Sequence, residues 1–279
     1  MTSKGPGDFA RPCVSSITSG GHRIVLLTAD GVRVEAAYEP GAGGAAIVLA
    51  HGFGGALDRP ALRRAAEVFA RRAAVVTFSF RGHGRSGGRS TVGDREVLDL
   101  AAAVWWARAL GHRRVVTVGF SMGGSVVLRH GGLYVPGTVS EHEGRTGAHA
   151  EAHADAVVSV SSPARWFYRG TAPMRRLHWA VTRPSGRVVT RLGLRTRVLG
   201  EEWDPVPVPP VAAVERIAPR PLLIVHGDRD AYFPLDHPRS LAAAGDPAST
   251  ELWIERGFGH AEGAAGVGLL ERIARWAIR

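Results

Sequence analysis

Short runs that are apolar throughout recur along this chain, and stretches with helical spacing lie between them. AAIVLA (Ala45–Ala50), AAVVTFSF (Ala73–Phe80), VVTV (Val115–Val118), AVVSV (Ala156–Val160) and PLLIVHG (Pro221–Gly227) each lack a polar face. Such runs predict strands covered on both sides, as in a parallel sheet. ELWIE (Glu251–Glu255) predicts one more strand. Ahead of them, His22–Ala29 and Val32–Tyr38, split by Asp30-Gly31, predict an antiparallel hairpin. Helices are expected over Pro60–Arg71, Asp94–Leu110, Met122–His130, Asp236–Ala244 and Glu262–Ile278. Pro60 suits a first turn, and Asp94 or Thr91 would be the N-cap of the second helix. The alternation predicts an α/β fold: a mostly parallel sheet with helices on both faces. Ligands of such sheets bind outside the carboxyl ends of the strands.

Two stretches break the rhythm. Gly137–Asp155 is polar and rich in Gly and Ala, and a surface loop is expected there. Its His142, His149 and His153 match no zinc spacing, so no metal site is expected. Ser162–Ala218 is too long for a plain connection. It is expected to be a cap inserted over the carboxyl end of the sheet, within a single domain spanning 1–279. Its aromatics make Trp166, Phe167 and Trp179 candidate substrate-binding residues.

Composition narrows the classes. Hydrophobic residues make up 45% and charged residues 22%, which suits a globular chain. No apolar run reaches the ~18 residues of a membrane span, so no stable membrane insertion is expected. The N-terminus has no apolar core and does not read as a secretory signal. Cys13 is the single cysteine, which excludes an internal disulfide. The expectation is a cytoplasmic protein. The net charge of +10 is almost all arginine, with Lys4 the one lysine. The arginines are spread out and no nucleic-acid motif appears, so no nucleic-acid partner is expected. The pattern carries no signal for oligomeric state.

Candidate chemistry centres on Gly-x-Ser-x-Gly, which occurs twice. With 36 Gly and 16 Ser in 279 residues, chance alone gives about 0.3 matches, so context must separate them. Ser121, in GFSMG, follows one predicted strand and opens a predicted helix directly. That is the strand–turn–helix setting of an exposed nucleophile, with flanking glycines relieving a sharp turn. Ser86, in GRSGG, sits in a loop with no helix until about Asp94 and is the lesser candidate. A serine hydroxyl needs a base, and the base an orienting acid. His260, between the last strand and the last helix, is the candidate base, while His226 on a strand end reads as a packed residue. Asp230 is favoured as the acid over Asp228, which reads as a turn residue. The Phe53 N–H in HGFGG (His51–Gly55) and the Met122 N–H are the candidate oxyanion donors.

HGFGG at 51, FRGHGRSGG at 80, GFSMGG at 119, HGDRD at 226 and GFGHAE at 257 together resemble the α/β-hydrolase superfamily, over nearly all of 22–279. The likeness is nearest to serine esterases and S33-like hydrolases with RGxGxS after the fourth strand. It implies an eight-stranded sheet, a cap after the sixth strand, a small-molecule acyl substrate and no metal or organic cofactor. The serine departs from haloalkane dehalogenases and epoxide hydrolases, which carry Asp at that turn. The loop 137–155 is longer than the family needs. The implied activity is ester or thioester hydrolysis through an acyl-enzyme. A peptidase, amidase or acyltransferase would use the same residues. A non-catalytic binding module is the reading from another class; its sign would be a broken triad, and the three residue types are present. The arginines of 164–200, among them Arg165, Arg169, Arg175, Arg176 and Arg183, suit either a solvated basic lid or a receiver for an acyl chain with an anionic head.

Overall fold

The computed structural model describes residues 17–18, 21–137 and 151–279. Lys4, Cys13, the N-terminal segment read for a signal, His142 and His149 lie outside the described residues, as does most of the loop 137–155. One sheet organises the rest, in the order β1-β2-β3-β5-β4-β6-β7-β8-β9. Its strands are β1 (Ile17–Thr18), β2 (Gly21–Leu27), β3 (Arg33–Glu39), β4 (Ala45–Ala50), β5 (Ala74–Phe78), β6 (Arg114–Phe120), β7 (Ala156–Val160), β8 (Leu222–Gly227) and β9 (Thr250–Glu255). Strands β2 to β9 are the eight expected, and two-residue β1 adds a short edge. β1, β2 and β3 pair antiparallel, and β3 meets β5 antiparallel; the six strands from β5 to β9 run parallel.

The apolar runs are explained by where successive side chains go. Along β4, Ala46, Val48 and Ala50 enter one core and Ile47 and Leu49 the other, all fully buried. The first core is covered by α2 (Glu96–Ala109), α3 (Met122–Leu133) and α7 (Asp236–Ala244). The second is covered by α1 (Pro60–Ala70) and α9 (Val267–Ala277). A strand buried on both faces has no polar position to spare.

Three expectations change. The last helix is not continuous over 262–278: a short α8 (Ala261–Ala264) ends before Gly266, where α9 restarts. Glycines at 263, 266 and 268 each weaken a helix by roughly 1 kcal/mol relative to alanine. Helix α2 starts at Glu96 rather than Asp94, and neither Asp94 nor Thr91 is its N-cap residue. Instead the buried Glu96 carboxylate turns back to accept the N–H of Thr91 (2.9 Å) and of Gly93 (2.9 Å). The strand expected over 115–118 runs from Arg114 to Phe120, straight up to Ser121. Between β7 and β8 the chain forms α4 (Ala172–Thr182), α5 (Pro184–Gly193) and α6 (Pro210–Val214).

Candidate active site

β6 ends at Phe120 and α3 begins at Met122, so Ser121 makes the whole turn, at φ 51° and ψ −114°. An L-residue held there is strained and persists only where its surroundings fix it. The two glycines make the fixing possible. A Cβ on Gly119 would lie 2.1 Å from the Gly123 carbonyl oxygen, and one on Gly123 would lie 2.2 Å from that of Ala50. Without side chains at both positions, α3 starts directly against β6 and β4.

His260 lies just past β9 and Asp230 just past β8. The Ser121 Oγ and His260 Nε2 are 2.9 Å apart, and His260 Nδ1 is 2.8 Å from Asp230 Oδ2. Asp230 Oδ1 accepts the N–H groups of Tyr232 (2.8 Å) and Phe233 (3.1 Å). Burial works to raise the Asp230 pKa, but the His260 hydrogen bond, the His260 charge and the two backbone N–H groups outweigh it and hold it below the usual carboxylate value. An ionised carboxylate only accepts, so His260 Nδ1 must donate. In the neutral ring, Nε2 is then the acceptor facing the serine hydroxyl.

The other serine is structural. Ser86 is buried; its hydroxyl donates to the Ser79 carbonyl (2.6 Å) and accepts the Glu35 N–H (3.0 Å). The same loop is anchored by buried Arg81, paired with Asp30 (2.6 Å) and Asp99 (2.7 Å). Asp228 accepts the Gly257 N–H at 2.6 Å, tying the turn after β8 to the one after β9 rather than closing a local turn of its own. His226 Nε2 donates to the Phe233 carbonyl (2.8 Å) and lies 3.6 Å from Asp230 Oδ2.

HGFGG follows β4. Buried His51 fixes its start: Nδ1 donates to the Gly52 carbonyl (2.7 Å) and Nε2 accepts the Phe80 N–H (3.0 Å). Burial pushes the His51 pKa down to about 3, which keeps the ring neutral. Among the described residues, neither the Phe53 nor the Met122 N–H has an acceptor.

Sequence reasoning missed three residues. Glu262 accepts the Gly52 N–H at 3.0 Å, and its carboxylate oxygens lie 3.3 Å from where a Gly52 Cβ would stand, beside Ser121. Tyr232 stacks on His260, with centroids 4.1 Å apart and planes at 23°. Leu194, just past α5, rests on Gly54. The three aromatics named from the sequence all lie in the segment between β7 and β8. Trp166 donates its indole N–H to the Pro207 carbonyl and sits 5.1 Å from the Trp203 ring; Phe167 also lies against Trp203. Phe167 and Trp179 are largely exposed. Among the described residues, none of the three makes a ring contact or hydrogen bond with the Ser121–His260–Asp230 chain.

Comparison with known proteins agrees with this architecture. A family model described as the alpha/beta hydrolase fold matches residues 45–141. An esterase of Pyrococcus furiosus superposes with a TM-score of 0.69 at 21% identity, covering 96% of this chain and 98% of its own. An alpha-beta serine hydrolase homologue from Coxiella burnetii gives 0.59 at 18%, covering 95% and 99%. A serine hydrolase without lid from Xanthomonas campestris gives 0.59 at 16%, covering 94% and 95%. No curated protein sequence matches the chain. With its antiparallel edge, six parallel strands and helices on both faces, the chain has the α/β-hydrolase fold.

Proposed function

We propose that this protein is a serine hydrolase that cleaves a carboxylic ester or thioester through an acyl-enzyme on Ser121. The observation that carries the reading is the unbroken hydrogen-bonded chain from Ser121 Oγ through His260 to buried Asp230. As Ser121 Oγ attacks the acyl carbon, its proton passes to His260 Nε2. Asp230 holds the tautomer and stabilises the imidazolium. The carbonyl oxygen becomes an oxyanion, bound by the unpaired N–H groups of Phe53 and Met122; one such donor typically supplies ~3 kcal/mol. His260 then protonates the leaving oxygen or sulfur. A water deprotonated by the same Nε2 attacks the acyl-enzyme and frees the acid. The segment 162–218 is the cap of this site, resting on its glycine turn through Leu194.

Glu262 is a positioning residue in this scheme, because it holds the Gly52 N–H and so the register of Phe53. Glu262→Ala is expected to lower kcat about tenfold with little change in KM, since the lost support is felt at the oxyanion. Glu262→Gln, which can still accept, should recover most of the loss.

The test of the function is a p-nitrophenyl ester series from acetate to palmitate, followed by thioester and aminoacyl-anilide substrates. A fluorophosphonate probe, located by peptide mass spectrometry, runs alongside. Turnover with the label on Ser121 supports the reading, and the preferred chain length sizes the acyl site. No turnover and no label would sink it in favour of a binding module.

A further inference from the structure

The segment from 164 to 200 carries nine arginines and no aspartate or glutamate. Among the described residues, only Arg165 has a carboxylate partner, Asp236. The cationic stretch also bears a helix that is amphipathic the wrong way round. The α5 residues turned inward are Gly186 and Thr190, both buried. Gly186 lets α5 press onto α4; a Cβ there would lie 2.4 Å from the Trp179 carbonyl oxygen. The residues turned outward are Val188 and Val189, each 55% exposed, and Leu192, 77% exposed. At this spacing they form one aliphatic stripe along the helix. Arg191 lies on α5 next to the stripe and Arg195 follows just past its end, both exposed and with no hydrogen bond or ion pair from their guanidinium groups among the described residues.

We propose that the outward face of α5, with its flanking arginines, docks on the surface of an anionic phospholipid bilayer. Exposed aliphatics bordered by arginine suit the boundary between headgroups and acyl chains, where the stripe enters the apolar layer and the guanidiniums meet phosphate. A second copy fits poorly, because a self-complementary contact would set this unneutralised arginine field against itself. A nucleic acid would engage the arginines but leave the aliphatic stripe without a partner. Docking is peripheral: among the described residues no helix is long and apolar enough to cross a membrane. The inference goes beyond the catalytic reading and stands without it.

Co-sedimentation of the full chain with vesicles tests it. One set is phosphatidylcholine alone, the other equal parts phosphatidylcholine and phosphatidylglycerol. Binding is expected to the anionic set only, to weaken with added salt, and to be the same for Ser121→Ala, which separates docking from catalysis. Arg191→Gln with Arg195→Gln should lower the partition coefficient about 25-fold, roughly fivefold per charge. Val188→Ser with Leu192→Ser should lower it at least about tenfold. These surface substitutions leave the core untouched, which circular dichroism checks. Failure to bind anionic vesicles overturns the proposal, as does binding that both double substitutions leave unchanged. Binding to duplex DNA with the vesicles left free would assign the face to a soluble polyanion. A concentration-dependent dimer, lost with Leu192→Ser and with no vesicle binding, would assign it to a second copy.

Discussion

Replacing Ser121 by alanine is expected to lower kcat on a p-nitrophenyl ester by about a million-fold. Adding His260→Ala to that variant should then change almost nothing. The two outcomes come from one geometric fact. His260 Nε2 is 2.9 Å from the hydroxyl it would deprotonate, so without the hydroxyl the base has no proton to take. Groups that act as a unit are lost as a unit. Asp230→Asn is expected to cost less, about ten-thousandfold. An amide NH₂ facing Nδ1 would favour the tautomer with the proton on Nε2, which cannot accept from Ser121. Residual turnover in Ser121→Ala would come from the oxyanion donors and binding alone. Single-turnover kinetics on purified variants read all three. A Ser121→Ala enzyme within tenfold of wild type would sink the acyl-enzyme mechanism, and a further large loss on adding His260→Ala would mean that His260 works independently of the serine.

How much of this was legible in the sequence differs by kind of residue. The five central strands β4 to β8 were legible because each lies between two helix layers, so burial on both faces is written as an unbroken apolar run. The meeting of Ser121, Asp230 and His260 was legible because each follows directly on a strand, and parallel strands carry their ends to one edge. The break between α8 and α9 was written in glycines 263, 266 and 268 but hidden by helical spacing on either side. The later start of α2 was hidden because the Glu96 carboxylate folds back onto the N–H groups of Thr91 and Gly93 in the preceding loop, a contact made by side-chain reach. Glu262 was not legible at all. Its partner Gly52 is 210 positions away, and only the packing of α8 against the β4 loop brings them together. Trp166, Phe167 and Trp179 were chosen by residue type. Type gives a preference for contact, not a direction, and the packing of Trp166 and Phe167 on Trp203 is set by the fold of the cap segment. The stripe on α5 has the spacing of an ordinary amphipathic helix, and the sequence alone points such a stripe inward.

Acid should unfold this protein with a slope set by its buried histidines. His51 and His130 are held down to about 3, and His237 to about 4, in each case first by burial and then by nearby positive charge. Each has an ordinary value of 6.5 in the unfolded chain. Between those limits the unfolded state binds protons that the folded state refuses, so stability falls as pH falls below about 6.5. The slope is about 1.4 kcal/mol per pH unit for each histidine, or about 4 for the three. At about pH 5 these three rings together cost about 6 kcal/mol, and buried Asp99, its carboxyl pushed up to about 7 by burial, offsets part of that loss because the folded state binds its proton first. Urea unfolding at a series of pH values measures it. His130 offers the cleanest dissection, because its ring stacks on Tyr134 with centroids 4.5 Å apart and planes at 19°. His130→Phe keeps the stack and removes the proton site, so the slope should fall by about 1.4 kcal/mol per pH unit while stability near neutral pH is held or raised. A slope between about pH 6.5 and 4.5 that is the same in His130→Phe and wild type would show that His130 titrates normally in the folded state.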